Sequence, residues 1–194
     1  MRRALFHPLL FYPTLAALAL MAVLFSLRPA WPDPHETVMG AQRAARAFDY
    51  GANNLAATAT GPAHVSYIVR DTFGLPQSLR LARTMASVGQ DLPGAVMPLT
   101  PEDAAAFAQG PVVADVVYRP IPINTAEGFS LRWAGTQAWI STAIEPREGQ
   151  VSLVLPETDT PPTGLEIRID STRADYAYGL EILAIRLTPA AGEP

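Results

Sequence analysis

From His64 to the C-terminus the chain consists of short runs in which apolar and polar residues alternate, each closed by proline, glycine or aspartate. A period of two is the mark of a strand with one buried face, and punctuation roughly every ten residues leaves no room for long helices. In "PVVADVVYRP", Val112, Ala114, Val116 and Tyr118 share one face, and Val113, Asp115, Val117 and Arg119 share the other. "HVSYIVR" groups Val65, Tyr67 and Val69, and "QSLRLAR" sets Leu79 and Leu81 against Ser78, Arg80 and Ala82. Between these two runs "DTFGLP" supplies turn residues. "FSLRWAGTQAWIST" reads as a hairpin with its loop at Gly135-Thr136, which pairs Trp133 with Ala138, Leu131 with Ile140 and Arg132 with Trp139. "GQVSLVLP", "GLEIRID" and "YGLEILAIRLTP" add three more strands. One helix interrupts them. In "LTPEDAAAFAQG", Thr100 caps, Pro101 fits the first turn, Asp103 takes the third helical position and Gly110 marks the stop. The pattern predicts an antiparallel β-sandwich, with Leu131, Trp133, Val151, Leu153, Leu165, Ile167, Leu183 and Ile185 in its core.

The N-terminus follows different rules. From Ala4 to Leu27 there are 24 residues without a formal charge, preceded by Arg2 and Arg3 and followed by Arg28. With Pro13 distorting the start, a regular helix from Leu9 to Leu27 is about 28 Å long, enough to cross the hydrocarbon. Arg28, Pro29 and Trp31 spoil every nearby small-residue cleavage site, so the segment is expected to stay as a signal anchor. The arginines ahead of it place the N-terminus in the cytoplasm and the rest of the chain on the periplasmic side of a bacterial inner membrane. The chain divides into a stub and anchor at 1–28, a Pro/Ala-rich stretch at 29–63, the sandwich at 64–190 and a tail at 191–194. Within the second part, Met39 to Phe48 reads equally as a short helix or an irregular edge strand.

Composition narrows the chemistry. All 14 basic residues are arginine, and past Arg28 there are 11 of them against 18 acids, the reverse of a phosphate-binding surface. Nucleic acid is therefore not an expected partner. There are no cysteines, which removes thiol nucleophiles and Cys-held metals, and of the three histidines only His64 lies well inside the folded part. No Gly-x-Ser-x-Gly, phosphate loop or His-x-x-x-His pair is present, so the chain is not expected to be an enzyme or to need a cofactor.

The order of "QSLRLAR", "VVADVVYRP", "GQVSLVLP" and "YGLEILAIRL" resembles the jelly-roll modules of the galactose-binding-like and carbohydrate-binding-module group over residues 64 to 188. The whole chain also resembles N-terminally anchored exported proteins of alphaproteobacteria. The first resemblance implies aromatic platforms that stack on pyranose rings. Trp139, out of phase with its strand and opposite Arg132, is the leading candidate, and Tyr176 and Tyr178 could line a loop-end site. It also implies that a structural calcium can occur, for which Asp170, Asp175 and Glu181 are the candidate oxygen ligands, although no dense D-x-D-x-D-G run is present. Glu181 shares the parity of Leu183, Ile185 and Leu187, so it points inward unless a bulge resets the phase, and Arg168 could then reach it. Two functions fit: an accessory or assembly subunit of a membrane or envelope complex, or a membrane-tethered module that binds a glycan.

Overall fold

The computed structural model describes residues 16, 18, 19, 42–44, 47–61, 63–84, 93–171 and 178–190. The chain separates into two units, Met1–Thr37 and Val38–Pro194. In the first, Ala16, Leu18 and Ala19 are helical. Apart from these three the expected anchor lies outside the described residues, as do residues 29–41, Asp175 and Tyr176, and among the described residues no helix is long and apolar enough to cross a membrane.

The described residues of the second unit form twelve strands and two short helices: β1 (Gln42–Ala44), β2 (Ala47–Tyr50), α1 (Ala52–Leu55), β3 (Ala59–Thr60), β4 (His64–Arg70), β5 (Pro76–Arg83), β6 (Ala95–Pro98), α2 (Pro101–Phe107), β7 (Val112–Pro120), β8 (Gly128–Trp133), β9 (Ile140–Ala143), β10 (Gly149–Leu155), β11 (Gly164–Asp170) and β12 (Tyr178–Pro189). All strand pairings are antiparallel. The smaller sheet runs β3-β6-β11-β8-β9. The larger is organised around β12, which pairs along one edge with β5 and β2 in succession and along the other with β7; β4 and β10 lie outermost on the β5 and β7 sides. The Ala-rich stretch that read as helix or edge strand thus supplies β1 and β2, and both sheets begin before residue 64.

One apolar cluster fills the space between the sheets. Leu131, Trp133, Leu165 and Ile167 come from the smaller sheet, and Leu81, Val116, Leu155 and Ile182 from the larger. At one end α2 inserts Phe107, whose ring stacks on Trp133 at 5.7 Å and meets Phe48 edge-on at 4.8 Å. The helix starts as its sequence dictates: the Thr100 hydroxyl accepts the Asp103 amide at 3.2 Å, with Pro101 in the first turn. Thr100→Ala should cost about 1 kcal/mol through the lost cap. An unchanged urea midpoint would show that the tertiary contacts of Phe107 alone fix the helix.

Two expectations about phase need correction. β12 carries a bulge between Ile182 and Ala184, so Leu180 and Ile182 before it and Ile185 and Leu187 after it all point inward. Glu181 therefore lies on the outer face, and Leu183, at the bulge, is half-buried instead of central. Val151 is also half-buried, against the edge of the core. In the β8–β9 hairpin the register is the expected one, Leu131 opposite Ile140, but the ladder stops there, so residues 134–139 form a longer loop than Gly135-Thr136.

Candidate functional site

The outer face of the smaller sheet carries three of the sequence-predicted residues, Arg132, Trp139 and Asp170. Trp139 leaves the hairpin loop opposite Arg132, and its indole reaches across β8 to β11: the guanidinium carbons of Arg132 and Arg168 lie 4.0 Å and 4.3 Å from the ring centroid. Below it is a closed polar cluster. Arg132 donates to Glu166 at 2.6 Å, and the other Glu166 oxygen accepts the Gly94 amide at 2.6 Å. Asp170 is held by Arg168 at 3.2 Å and by the Ser130 hydroxyl, which also bonds Ser141 at 2.7 Å. Ser130 and Glu166 are buried and Trp139 is half-buried, so the indole serves as a lid over satisfied ion pairs. Tyr178 is buried at the start of β12, on the inward side with Leu180.

Beside this cluster sits His64. The β6–β11 ladder stops where β6 begins, at Ala95 opposite Ile167, so the next amide of β11 along that edge, that of Ile169, lacks a strand partner. His64 Nε2 accepts it at 3.2 Å. The proton is therefore on Nδ1, which lies near the Pro93 carbonyl without forming a bond of ordinary geometry. Burial first, then the charges of Arg83 and Arg168, lower the His64 pKa from 6.5 to about 4, against the opposing pull of Pro93 and Asp170.

Of the candidate calcium ligands, the two that are described, Asp170 and Glu181, do not converge. Asp170 faces out from the smaller sheet and Glu181 from the larger, on opposite sides of the sandwich. Among the described residues no group of three His, Cys, Asp or Glu side chains could hold a metal ion. The bulge in β12 does not bring Arg168 to Glu181: Arg168 pairs with Asp170.

Glu181 instead lies at the centre of an arrangement that sequence reasoning missed. Across the outer face of the larger sheet, Tyr67 on β4 stands opposite Arg80 on β5, Arg80 opposite Glu181 on β12, and Glu181 opposite Arg119 on β7. Glu148, just before β10, continues the line by accepting from Arg119 at 2.7 Å. Five side chains thus form a row spanning four strand spacings, about 19 Å. Glu181 is buried and takes the Arg80 Nε at 2.9 Å and a second, shorter bond from its Nη2; Arg119 Nη1 is 3.8 Å away. Arg80 also lies over the Tyr67 ring at 5.1 Å, and half of Tyr67 (50%) is solvent-exposed. The neighbouring row is Val65, Ala82 and Gly179. A Cβ on Gly179 would stand 2.8 Å from the Leu81 carbonyl oxygen, 3.2 Å from Ile121 Cδ1 and 3.3 Å from the Ala82 Cβ, so the Ile121 side chain closes this row over Gly179.

The carboxylates of the charged row are tied to arginines, and its polar atoms are planar, fixed in position and in part open to solvent. Only the register of three ladders and the β12 bulge could have revealed it, and neither is readable from alternation alone.

No family model matches the chain, and no curated protein matches it. Among solved structures it is similar to the CBM22-1 xylan-binding domain from Paenibacillus barcinonensis Xyn10C, with 16% identity over 69% of this chain and 87% of that one and a TM-score of 0.38. It is similar also to the CBM22-1-GH10 modules of a Clostridium thermocellum endo-1,4-beta-D-xylanase, at 13% identity, 68% and 26% coverage and a TM-score of 0.40. A third is the Podospora anserina GH26-CBM35 beta-(1,4)-mannanase, at 12% identity, 77% and 29% coverage and a TM-score of 0.37. Likenesses this distant carry no conclusion about the ligand.

Proposed function

We propose that this domain is a non-catalytic carbohydrate-binding module whose ligand lies on the outer face of the larger sheet. The observation that carries the reading is the row Tyr67, Arg80, Glu181, Arg119 and Glu148, one open aromatic in line with fixed planar charged groups. A pyranose ring presents an apolar C–H face and a rim of hydroxyls. Tyr67 complements the first, and the guanidinium and carboxylate edges complement the second by paired, charge-assisted hydrogen bonds. A row of about 19 Å suits several units of a chain better than one sugar. Exposure favours this face over the expected Trp139 and Arg132 platform: Tyr67 is half open, whereas the Trp139 ring already takes two guanidiniums. With the apolar stretch Ala4 to Leu27 retained, the module would be tethered at the periplasmic face of the inner membrane.

The test is retention of the detergent-extracted full chain on a glycan array, followed by affinity electrophoresis in the retained polysaccharide. Tyr67→Ala should weaken that binding by about 2 kcal/mol, roughly thirtyfold, with the fold intact. The assembly-subunit reading keeps one specific support, the exposed Phe73 and Leu75 at the β4–β5 turn, which the Asp71 side chain fixes by accepting both their amides. Absence of retention on any glycan, together with co-purifying membrane subunits, would favour that reading instead.

A further inference from the structure

The outer face of the larger sheet carries a second charged row. Asp49 on β2, Arg186 on β12, Asp115 on β7 and Ser152 on β10 stand opposite one another in register, across three strand spacings or about 14 Å. Arg186 Nε donates to Asp49 at 2.5 Å, and the Ser152 hydroxyl donates to Asp115. Arg186 and Ser152 are exposed, and Asp49 and Asp115 are half-buried. The place of this row depends on the β12 bulge. Glu181 and Arg186 are five residues apart, an odd separation that would turn them to opposite sides of a regular strand, and the extra residue at Leu183 puts both outward. On β7 their partners Arg119 and Asp115 are four residues apart, so the two rows run parallel with about 13 Å between them. Between them the same ladders set shorter side chains: Val69 and the buried Ser78 on β4 and β5, then Ala184 on β12 and Val117 on β7. Val69, Ala184 and Val117 are half-buried. The face is striped polar, apolar, polar, at right angles to the strands.

The charges are ordered as well. Each arginine of the two rows is held by a carboxylate, Arg80 by Glu181, Arg119 by Glu148 and Arg186 by Asp49, and the fourth carboxylate, Asp115, accepts the Ser152 hydroxyl. Three guanidiniums against four carboxylates leave one negative charge in excess. We propose that the second row is the far wall of the glycan site, and that an uncharged polysaccharide chain lies along the apolar strip between the rows. One rim of its hydroxyls meets Arg80, Glu181 and Arg119, and the other meets Arg186, Asp115 and Ser152. This rests on the carbohydrate reading and specifies the ligand of that same site. A pyranose ring has an apolar face between two hydroxyl rims, and the stripes match all three at once. A carboxylated or sulfated chain is selected against, because it meets the excess negative charge and arginines whose counter-ions it would have to displace.

The full chain in mild detergent is measured by affinity electrophoresis in the neutral polysaccharide that the glycan array selects, and in the same polymer oxidised at C6 to the uronate, with urea unfolding of each variant alongside. Val117→Lys, an outward substitution on the strip, should lower affinity about tenfold by obstructing the floor. Arg186→Ala should lower it roughly three- to tenfold through lost hydrogen bonds to the second rim. It removes an exposed side chain, so it tests the wall even where Val117→Lys proves unstable. Val154→Lys points outward on β10 beyond the second row, adds the same charge and should leave affinity at the wild-type value. The oxidised polymer should bind about tenfold more weakly than its parent. Wild-type affinity in Arg186→Ala and in a stable Val117→Lys, with Tyr67→Ala still defective, would confine the ligand to the first row and overturn the second wall alone. Selection of an acidic polymer, or equal retention in the oxidised and parent polymers, would overturn the uncharged ligand. No retention on any glycan would end this inference together with the carbohydrate reading.

Discussion

Glu166→Ala is expected to destabilise the domain by about 3–5 kcal/mol, because it leaves the buried end of Arg132 without its counter-charge. Arg132 and Glu166 retain 13% and 4% of their side-chain exposure, and Trp139 covers the guanidinium. The same carboxylate receives the Gly94 amide, which loses its partner too. Gly94 cannot retreat to find another, because its backbone runs so close to Ile167 that a Cβ there would collide with the Ile167 carbonyl. Glu166→Gln, which keeps an acceptor for Gly94, should cost less than the alanine. Replacing the pair together, Arg132→Leu with Glu166→Leu, should recover much of the loss, since the desolvation of both charges disappears with them. Urea unfolding of the four proteins decides the matter. Equal stability of Glu166→Ala and wild type would mean that water reaches Arg132 and that the Trp139 lid is open.

Acid should weaken the fold through His64. The folded-state pKa of about 4 lies below the ordinary 6.5, so the unfolded chain takes up the proton first. The contribution is complete above about pH 6.5 and is lost as the pH falls through about 4, a difference on the order of 3 kcal/mol. The geometry explains why protonation is resisted: the second proton would have to sit on Nε2, which faces the Ile169 N–H. His64→Gln retains an acceptor for Ile169 and does not titrate, so the slope of stability between pH 6.5 and 4 should largely vanish in that variant. A variant that shows the same acid sensitivity as wild type would assign the slope to carboxylates and leave His64 a spectator.

The strands were legible because alternation survives burial of one face. β7 reads inward and outward without a break, as "PVVADVVYRP" implies, and the Thr100 cap is a local bond that needs no tertiary information. The register of Leu131 with Ile140 was also readable, because a one-residue slip would have turned every apolar residue of that hairpin to the wrong side. Glu181 failed for the complementary reason. A single extra residue at Leu183 reverses the phase of half a strand, and nothing in "YGLEILAIRL" distinguishes a bulged from a regular strand, because leucine and isoleucine flank the site on both faces. The outward turn of Val65 and Tyr67 was hidden for a similar reason: the side of β4 that faces the core bears His64, Ser66 and Ile68, and the alternation shows two sides without telling which is inside. The row on the larger sheet depends on both of these facts. Its residues come from four strands and a loop separated by up to 114 positions, from Tyr67 to Glu181, and meet only through ladder register.

The proposed glycan face is tested most directly by comparing Tyr67→Ala with Trp139→Ala in affinity electrophoresis against the retained polysaccharide, with the stability of each measured alongside. The row across the larger sheet predicts that Tyr67→Ala loses retention at wild-type stability, and that Trp139→Ala keeps retention while losing stability with its lid over Arg132 and Arg168. Retention lost only in a fully stable Trp139→Ala, and kept in Tyr67→Ala, would contradict the assignment and move the ligand to the smaller sheet.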